Sequence, residues 1–396
     1  MSASLLEFLN LLIRWIHVVA GIMWVGASLF FVWMENNLKR VPDADAHAEE
    51  VRMVHGGGYW HVQKRLFEAG QVPGDLQWFK WEAYTTWISG AALLVVVYYL
   101  TGGLLTDPAV AKLTHMQGVG IGIASLVLGW LLYDGLWRSP LGRNPYLAAA
   151  ASYVLLVGAA FALTRLLSGR AAFIHVGAML GTMMAANVAM HIIPNQRRVI
   201  AAIEKGEAHD VARSEAARMR SRANNYMTLP VVFIMVSNHY SLLYGSAHNW
   251  LVLGILVLAG AAVNHFLNLR EREPSWDRAW IPASLGTTLA AFTAVYFLTA
   301  PPAAPASAGS ASFRDARAIV DRHCLSCHSR RPTDDVFKSP PLGITFDDPE
   351  RIRALAARIK ARAVVDRTMP LGNKTGMTER ERATLAAWID RGARAE

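Results

Sequence analysis

The chain has 396 residues, of which 53% are hydrophobic and 17% charged, and its formal net charge is +9 at pH 7. That apolar share excludes a disordered chain, and two cysteines exclude a disulfide-stapled scaffold. The basic residues are split among loops between apolar runs, so the charge reads as membrane topology and not as nucleic-acid binding.

A membrane-spanning helix needs about 20 largely apolar residues. Eight segments reach or approach that length: 11–34, 86–105, 116–133, 146–167, 173–193, 227–244, 248–269 and 279–299. The third and sixth are the shortest. The expected fold is all-α, a polytopic bundle of about eight transmembrane helices within residues 1–299. The start, MSASLLEFLN, is not basic and no small-residue cleavage site follows the first apolar run, so that run is read as a span and not as a signal peptide. With the N-terminus outside, eighteen Lys and Arg fall in inner loops and four on the outer side. Eight spans return the C-terminus to the outside.

The two large inner loops, 35–85 and 194–226, are the places for a soluble substrate. The first holds His55-Gly56-Gly57-Gly58-Tyr59-Trp60-His61 and Gln77-Trp78-Phe79-Lys80-Trp81. Glycines permit close backbone approach and the aromatic rings suit a flat ligand, although rings at such places also rest on membrane surfaces. In the second loop, 206–222 reads as an exposed basic helix facing anionic lipid.

Histidines lie within or at the ends of the spans. His17, His115, His175, His239 and His248 fall towards the outer side, and His191 and His265 towards the inner side. Ionisable residues at membrane depth are costly and face the bundle interior. Two accounts stay open: interhelical hydrogen bonds, or axial ligation of a b-type haem by pairs among His17, His115, His175, His191, His239 and His265. The spans as drawn contain no Asp or Glu, which disfavours a proton pump.

Residues 300–312, APPAAPASAGSAS, read as a Pro/Ala/Ser linker. Residues 313–396 then suffice for a small helical domain of the class I cytochrome c type. Its key is Cys324-Leu325-Ser326-Cys327-His328, which contains both cysteines of the chain. Two thiols at this spacing form thioethers to one haem c, and the following His328 ligates the iron. A redox dithiol or half a zinc site are the alternatives, but zinc needs more soft ligands than His323 and His328 provide. Met369, in Thr368-Met369-Pro370-Leu371-Gly372-Asn373, is the expected second axial ligand, with Met377 the runner-up. Thr378-Glu379-Arg380-Glu381 is a capping box that opens a last helix stopped by Gly392.

Over nearly its whole length the chain resembles the bacterial membrane-bound urate oxidases, or urate hydroxylases, with a fused C-terminal cytochrome c. The resemblance rests on Trp15-Ile16-His17-Val18-Val19-Ala20-Gly21-Ile22-Met23-Trp24-Val25-Gly26, on Phe30–Asn36 and the two aromatic inner-loop segments, and on Met369–Asn373 with Thr378–Arg382. It implies oxidation of urate to 5-hydroxyisourate, electrons passed through haem to a downstream respiratory cytochrome or oxidase, and no peroxide. It also implies a multi-pass protein of the bacterial inner membrane with its N-terminus and cytochrome on the periplasmic side. It brings no established catalytic residues. A planar anionic purine calls for aromatic, amide and cationic partners, so Gln77, Lys80, Trp81, Asn195, Gln196 and Arg197 are candidates. A quinol-linked cytochrome c electron-transfer protein is the alternative. No oligomeric state is specified.

Overall fold

The computed structural model describes residues 3–40, 48–65, 68–72, 74–100, 104–108, 110–299, 311–334, 337–365 and 367–395. Most of the linker, 300–310, lies outside the described residues.

Helix dominates. The first, α1 (Ala3–Asn37), is followed by a small sheet of β1 (Lys39–Arg40), β2 (Glu49–His55) and β3 (Gly58–Lys64). Its antiparallel order is β1-β2-β3, and it departs from an all-helical chain. The turn between β2 and β3 pairs His55 with Gly58, and Gly56 and Gly57 both have positive φ, at 60° and 79°. Two left-handed residues make the turn that best matches strand twist, so these glycines serve a hairpin.

The bundle continues with α2 (Trp81–Leu94), α3 (His115–Arg138), α4 (Pro145–Thr164), α5 (Gly169–Ala186), α6 (Ile193–Glu204), α7 (Val211–Ser237), the short α8 (Ser241–Tyr244), α9 (Asn249–Arg272) and α10 (Trp280–Thr299). Two π-helical stretches interrupt it: Val95–Tyr99 prolongs α2, and Asn187–Ile192 joins α5 to α6. Among the described residues, six helical runs are long and apolar enough to cross a membrane. They overlap six of the eight expected spans. The other two expected spans begin in α2 and α7 and run past their ends, into the Val95–Tyr99 stretch and into α8. Only the second half of α7 is apolar. Its first half is the expected separate basic helix, which instead runs unbroken into the bundle, because nothing between Arg222 and Met227 stops a helix.

α5 is the buried axis. Phe173, His175 and Val176 are fully buried, and Met179 and Leu180 nearly so. α5 packs against α3, α4 and α7, and the core around it also takes Ile234, Val252 and Leu253. Outward faces carry exposed Phe8, Trp15, Leu131, Leu289 and Phe297, as lipid contact requires. Polar glue joins α7 to α9: Asn264 Nδ2 donates to Asn225 O at 2.7 Å, and Asn268 Nδ2 to Asn225 Oδ1 at 2.9 Å.

The C-terminal part is a separate core. α11 (Phe313–His323), α12 (Pro349–Ala354), α13 (Ala356–Ile359) and α14 (Glu379–Asp390) enclose Val320, Ile352, Leu385 and Trp388. Both flanking helices start on complete capping boxes, Ser312 with Asp315 and Thr378 with Glu381. Gly392, with φ 88°, follows α14.

Gly260 meets the backbone of Pro230, and a Cβ there would lie 3.0 Å from the proline nitrogen. Backbone cannot yield as a side chain does. Gly260→Val should therefore destabilise the bundle by about 1–3 kcal/mol, read as a lower melting temperature in detergent.

Candidate functional site

Three polar sites stand out. The first is in the C-terminal part. α11 ends at His323, and a tight turn follows, with His328 N donating to Cys324 O at 2.8 Å. The turn sets Cys324, Cys327 and His328 on one side of a cavity of about 350 Å³, which Phe346, Leu355, Ile359 and Met369 also line. His328 Nδ1 donates to Ile344 O at 3.0 Å, so Nε2 carries the lone pair. The Met369 segment is anchored by Arg382, which is buried. Its guanidinium donates to Met369 O at 2.9 Å, to Asn373 Oδ1 at 3.2 Å and to Ala363 O. Met377 is 3% exposed and packs in the core instead of lining the cavity.

Two thiols, an imidazole fixed in the ligating tautomer and a thioether around an apolar cavity fit a covalently held haem. Zinc would need further soft ligands beside the two thiols. Burial pushes the Cys324 thiol up to about 12 and raises that of Cys327. His323 is committed elsewhere, with Nδ1 bonded to Thr375 Oγ1 at 2.8 Å and Nε2 to Glu381 at 3.1 Å. Among the described residues, no three His, Cys, Asp or Glu converge as a metal site. From the bundle, Leu104, His239 and Tyr244 line the same cavity.

The second site is the π-helical end of α2. Tyr99 meets two histidines: His115 Nε2 donates to Tyr99 O at 2.8 Å, and Tyr99 Oη lies 3.0 Å from His175 Nε2. His175 Nδ1 donates to Ala171 O at 2.7 Å, so its Nε2 receives the tyrosine hydroxyl. A carbonyl can only accept, so Nδ1 of His115 keeps a lone pair, and it is buried with no partner among the described residues. His17 Nδ1 sits on Thr86 O at 3.0 Å, again leaving the lone pair to Nε2. Gly122 makes the room, since a Cβ there would come within 2.5 Å of His175 Nε2. His17 and His175 thus keep their lone pair on Nε2, where that of His175 accepts from Tyr99, and His115 keeps its lone pair on Nδ1. His265 pairs its Nδ1 with Tyr226 Oη at 2.8 Å, and His248 is exposed beside α9.

The third site is centred on Asp134. Its carboxylate receives Arg220 Nη2 at 2.7 Å, His191 Nε2 at 2.7 Å and Arg138 Nε at 2.8 Å. Arg220 Nη1 donates to Asn187 Oδ1 at 3.2 Å, and Asn187 Nδ2 to Tyr133 Oη and Asn224 Oδ1. A cavity of about 410 Å³ opens here, lined by Trp137, His191, Asn195, Arg198 and Arg220 among others.

The expected substrate residues are only partly gathered. Arg197 stacks on Trp78 at 5.7 Å and Lys80 on Trp81 at 5.4 Å, while Gln77 and Gln196 are exposed. Asn195 alone of the set lines the third cavity, where Arg198, not Arg197, is the neighbour. Asp134 and Arg220 were not anticipated. Asp134 lies one residue past the expected third span, and Arg220 was counted as a loop charge. The signal was present in α7, where Arg220, Asn224 and Thr228 recur every fourth residue and continue one polar stripe into the apolar half.

The family model described as urate oxidase N-terminal matches residues 3–297. The chain belongs to that family. The matched region holds the whole bundle with its second and third sites, and ends before the Cys-x-x-Cys-His turn. No match was found among curated proteins or among solved structures.

Glu381 links the first site to acid stability. Burial pushes its carboxyl up, but hydrogen bonds from the Thr378 amide and the His323 ring outweigh this and hold it at about 2. A folded pKa below the unfolded value of about 4.3 stabilises above that value and is lost as pH falls towards 2. Near-ultraviolet circular dichroism melts of the full chain should show this loss between about pH 4 and 2. Glu381→Gln should be less stable at pH 6 and flatter across that window.

Proposed function

We propose that the protein is a membrane-bound urate oxidase that converts urate to 5-hydroxyisourate and passes the electrons to a covalently bound haem c, and from there to a respiratory cytochrome or oxidase. Residues 1–299 form the membrane domain, 300–312 the linker and 313–396 the cytochrome domain. The observation that carries this is the presence, in one chain, of a urate oxidase N-terminal match over the bundle and a thiol, imidazole and thioether cavity after it.

Cys324 and Cys327 would attach the haem, and His328 and Met369 would ligate its iron. Bound there, haem c accepts one electron at a time, and a thioether ligand favours the reduced state. The chain's own part is to exclude water with Phe346, Leu355 and Ile359, and to hold Met369 in place through Arg382. The thioether of Met369 is favoured over that of Met377 because only Met369 lines the cavity.

Gly169 sits against Tyr244, which lines the haem c cavity, whereas His191 lies 22 residues further along one helical run. At 1.5 Å per residue that separation is about 33 Å, a membrane thickness. Electrons starting at the inner end therefore need a relay. Two histidines among His17, His115 and His175 would supply the axial pair of a haem b between the two ends, and His175 would do so only by exchanging its hydrogen bond from Tyr99 for the iron. The location that fits is the bacterial inner membrane, with the N-terminus and cytochrome domain on the periplasmic side. The six apolar runs and the bias of basic residues support it.

Purified protein given urate without oxygen should show reduction of its c-type absorbance, with no peroxide on readmission of air. Stoichiometric peroxide with the haem still oxidised would overturn the proposal. Met369→Ala should lower the haem c potential in a redox titration, and Met377→Ala should leave it close to wild type.

A further inference from the structure

The third site has a chemistry that haem transfer does not use. We infer that the cavity bounded by Trp137, His191, Asn195, Arg198 and Arg220 binds urate as a planar heteroaromatic anion, and that His191, held by Asp134, accepts the proton of the attacking water. This rests on the urate reading above and specifies where and how that reaction occurs.

Charge is the first argument. Arg138, Arg198 and Arg220 border the cavity, and Arg138 and Arg220 share the Asp134 carboxylate. Two of the three guanidiniums meet that carboxylate, which leaves net positive charge at the exposed Arg198 for an incoming anion. Shape is the second. The cavity of about 410 Å³ is of small-molecule size. Trp137 supplies a flat apolar surface, and Asn195 supplies an amide that can pair with a purine edge.

Preorganisation is the third. Arg220 is 6% exposed, and its guanidinium stacks near the rings of Tyr133 and Trp137 at 5.4 and 5.7 Å. Its contacts to Asp134 and Asn187 use one donor on each terminal nitrogen, so further in-plane donors remain from the five that a guanidinium carries. His191 and Asn187 both lie on the π-helical stretch, a distortion found frequently at functional sites.

The proton chemistry follows from the tautomer. His191 Nε2 lies 2.7 Å from Asp134 Oδ1, so that nitrogen donates and Nδ1 is left as the basic atom. The overall change is urate plus water to 5-hydroxyisourate, two protons and two electrons. A water O–H bond breaks and a C5–O bond forms. One proton goes to His191 Nδ1 and the other, from a ring N–H, to solvent through the cavity mouth. The two electrons leave singly to ferric haem, the acceptor class named above. A positioned base of this kind contributes about 100-fold or more to the rate.

Binding is measured on the full-length protein in detergent, with its haem kept reduced by dithionite so that no turnover occurs, by equilibrium dialysis against radiolabelled urate. Arg198→Gln should weaken binding about tenfold, as loss of one charge-assisted contact does. Arg198 is exposed, so this variant tests the site without disturbing the buried pair, and Arg220→Lys tests the pair itself. His191→Gln should bind urate within about threefold of wild type yet turn over about 100-fold more slowly, without the rise in kcat towards neutral pH that a histidine base produces. Wild-type affinity in both arginine variants, with urate still oxidised, overturns the inference and leaves the broader reading standing. A wild-type protein that neither binds nor oxidises urate overturns both. Full kcat in His191→Gln overturns the base assignment.

Discussion

Everything polar in this bundle is governed by the cost of placing a polar group among apolar helices. Such a group persists only where partners meet it, and an ion pair needs more than its Coulomb attraction to offset desolvation. Asp134 meets that condition with two guanidiniums and an imidazole, and Arg220 with a carboxylate, an amide and two aromatic faces. These contacts tie α3, the α5–α6 junction and α7 together at one end. Asn225, Asn264 and Asn268 tie α7 to α9 in the same way without charge.

Both π-helical stretches of the bundle carry chemistry-bearing side chains. The Val95–Tyr99 stretch brings Tyr99 to His115 and His175, and the Asn187–Ile192 stretch brings His191 and Asn187 to Asp134 and Arg220. A wider turn changes the angle between successive side chains, so residues that a regular helix would spread around its face can converge. Glycine does the complementary work. Gly122 admits His175 and Tyr99, and Gly129 lies close against Met179 on α5.

Much of the organisation was legible in the chain because it depends on local pattern. Apolar runs of membrane length, the Pro/Ala/Ser tract and the Cys324–His328 motif are all contiguous. The helix Phe313–His323 and the capping box at Thr378 follow from residues three or four apart. The His-Gly-Gly-Gly segment forms a hairpin turn that its sequence does not specify, because a glycine run does not tell a close ligand approach from the left-handed turn that Gly56 and Gly57 make. The expected basic helix at 206–222 is, from Val211, the first half of one helix that runs to Ser237, because composition changes at Met227 while helical geometry does not.

The sequence by itself determined the family resemblance, the apolar runs of membrane length and the Cys324–His328 motif, since each rests on residue type at short spacing. Only the tertiary structure decided which distant residues meet. Met369 reaches the cavity and Met377 enters the core because the Arg382 guanidinium pins one loop and the packing of α14 takes the other. Asp134, His191 and Arg220 come from three separate helices, and their meeting is set by how those helices pack around α5. No local pattern encodes that packing, because it is the sum of many interhelical contacts.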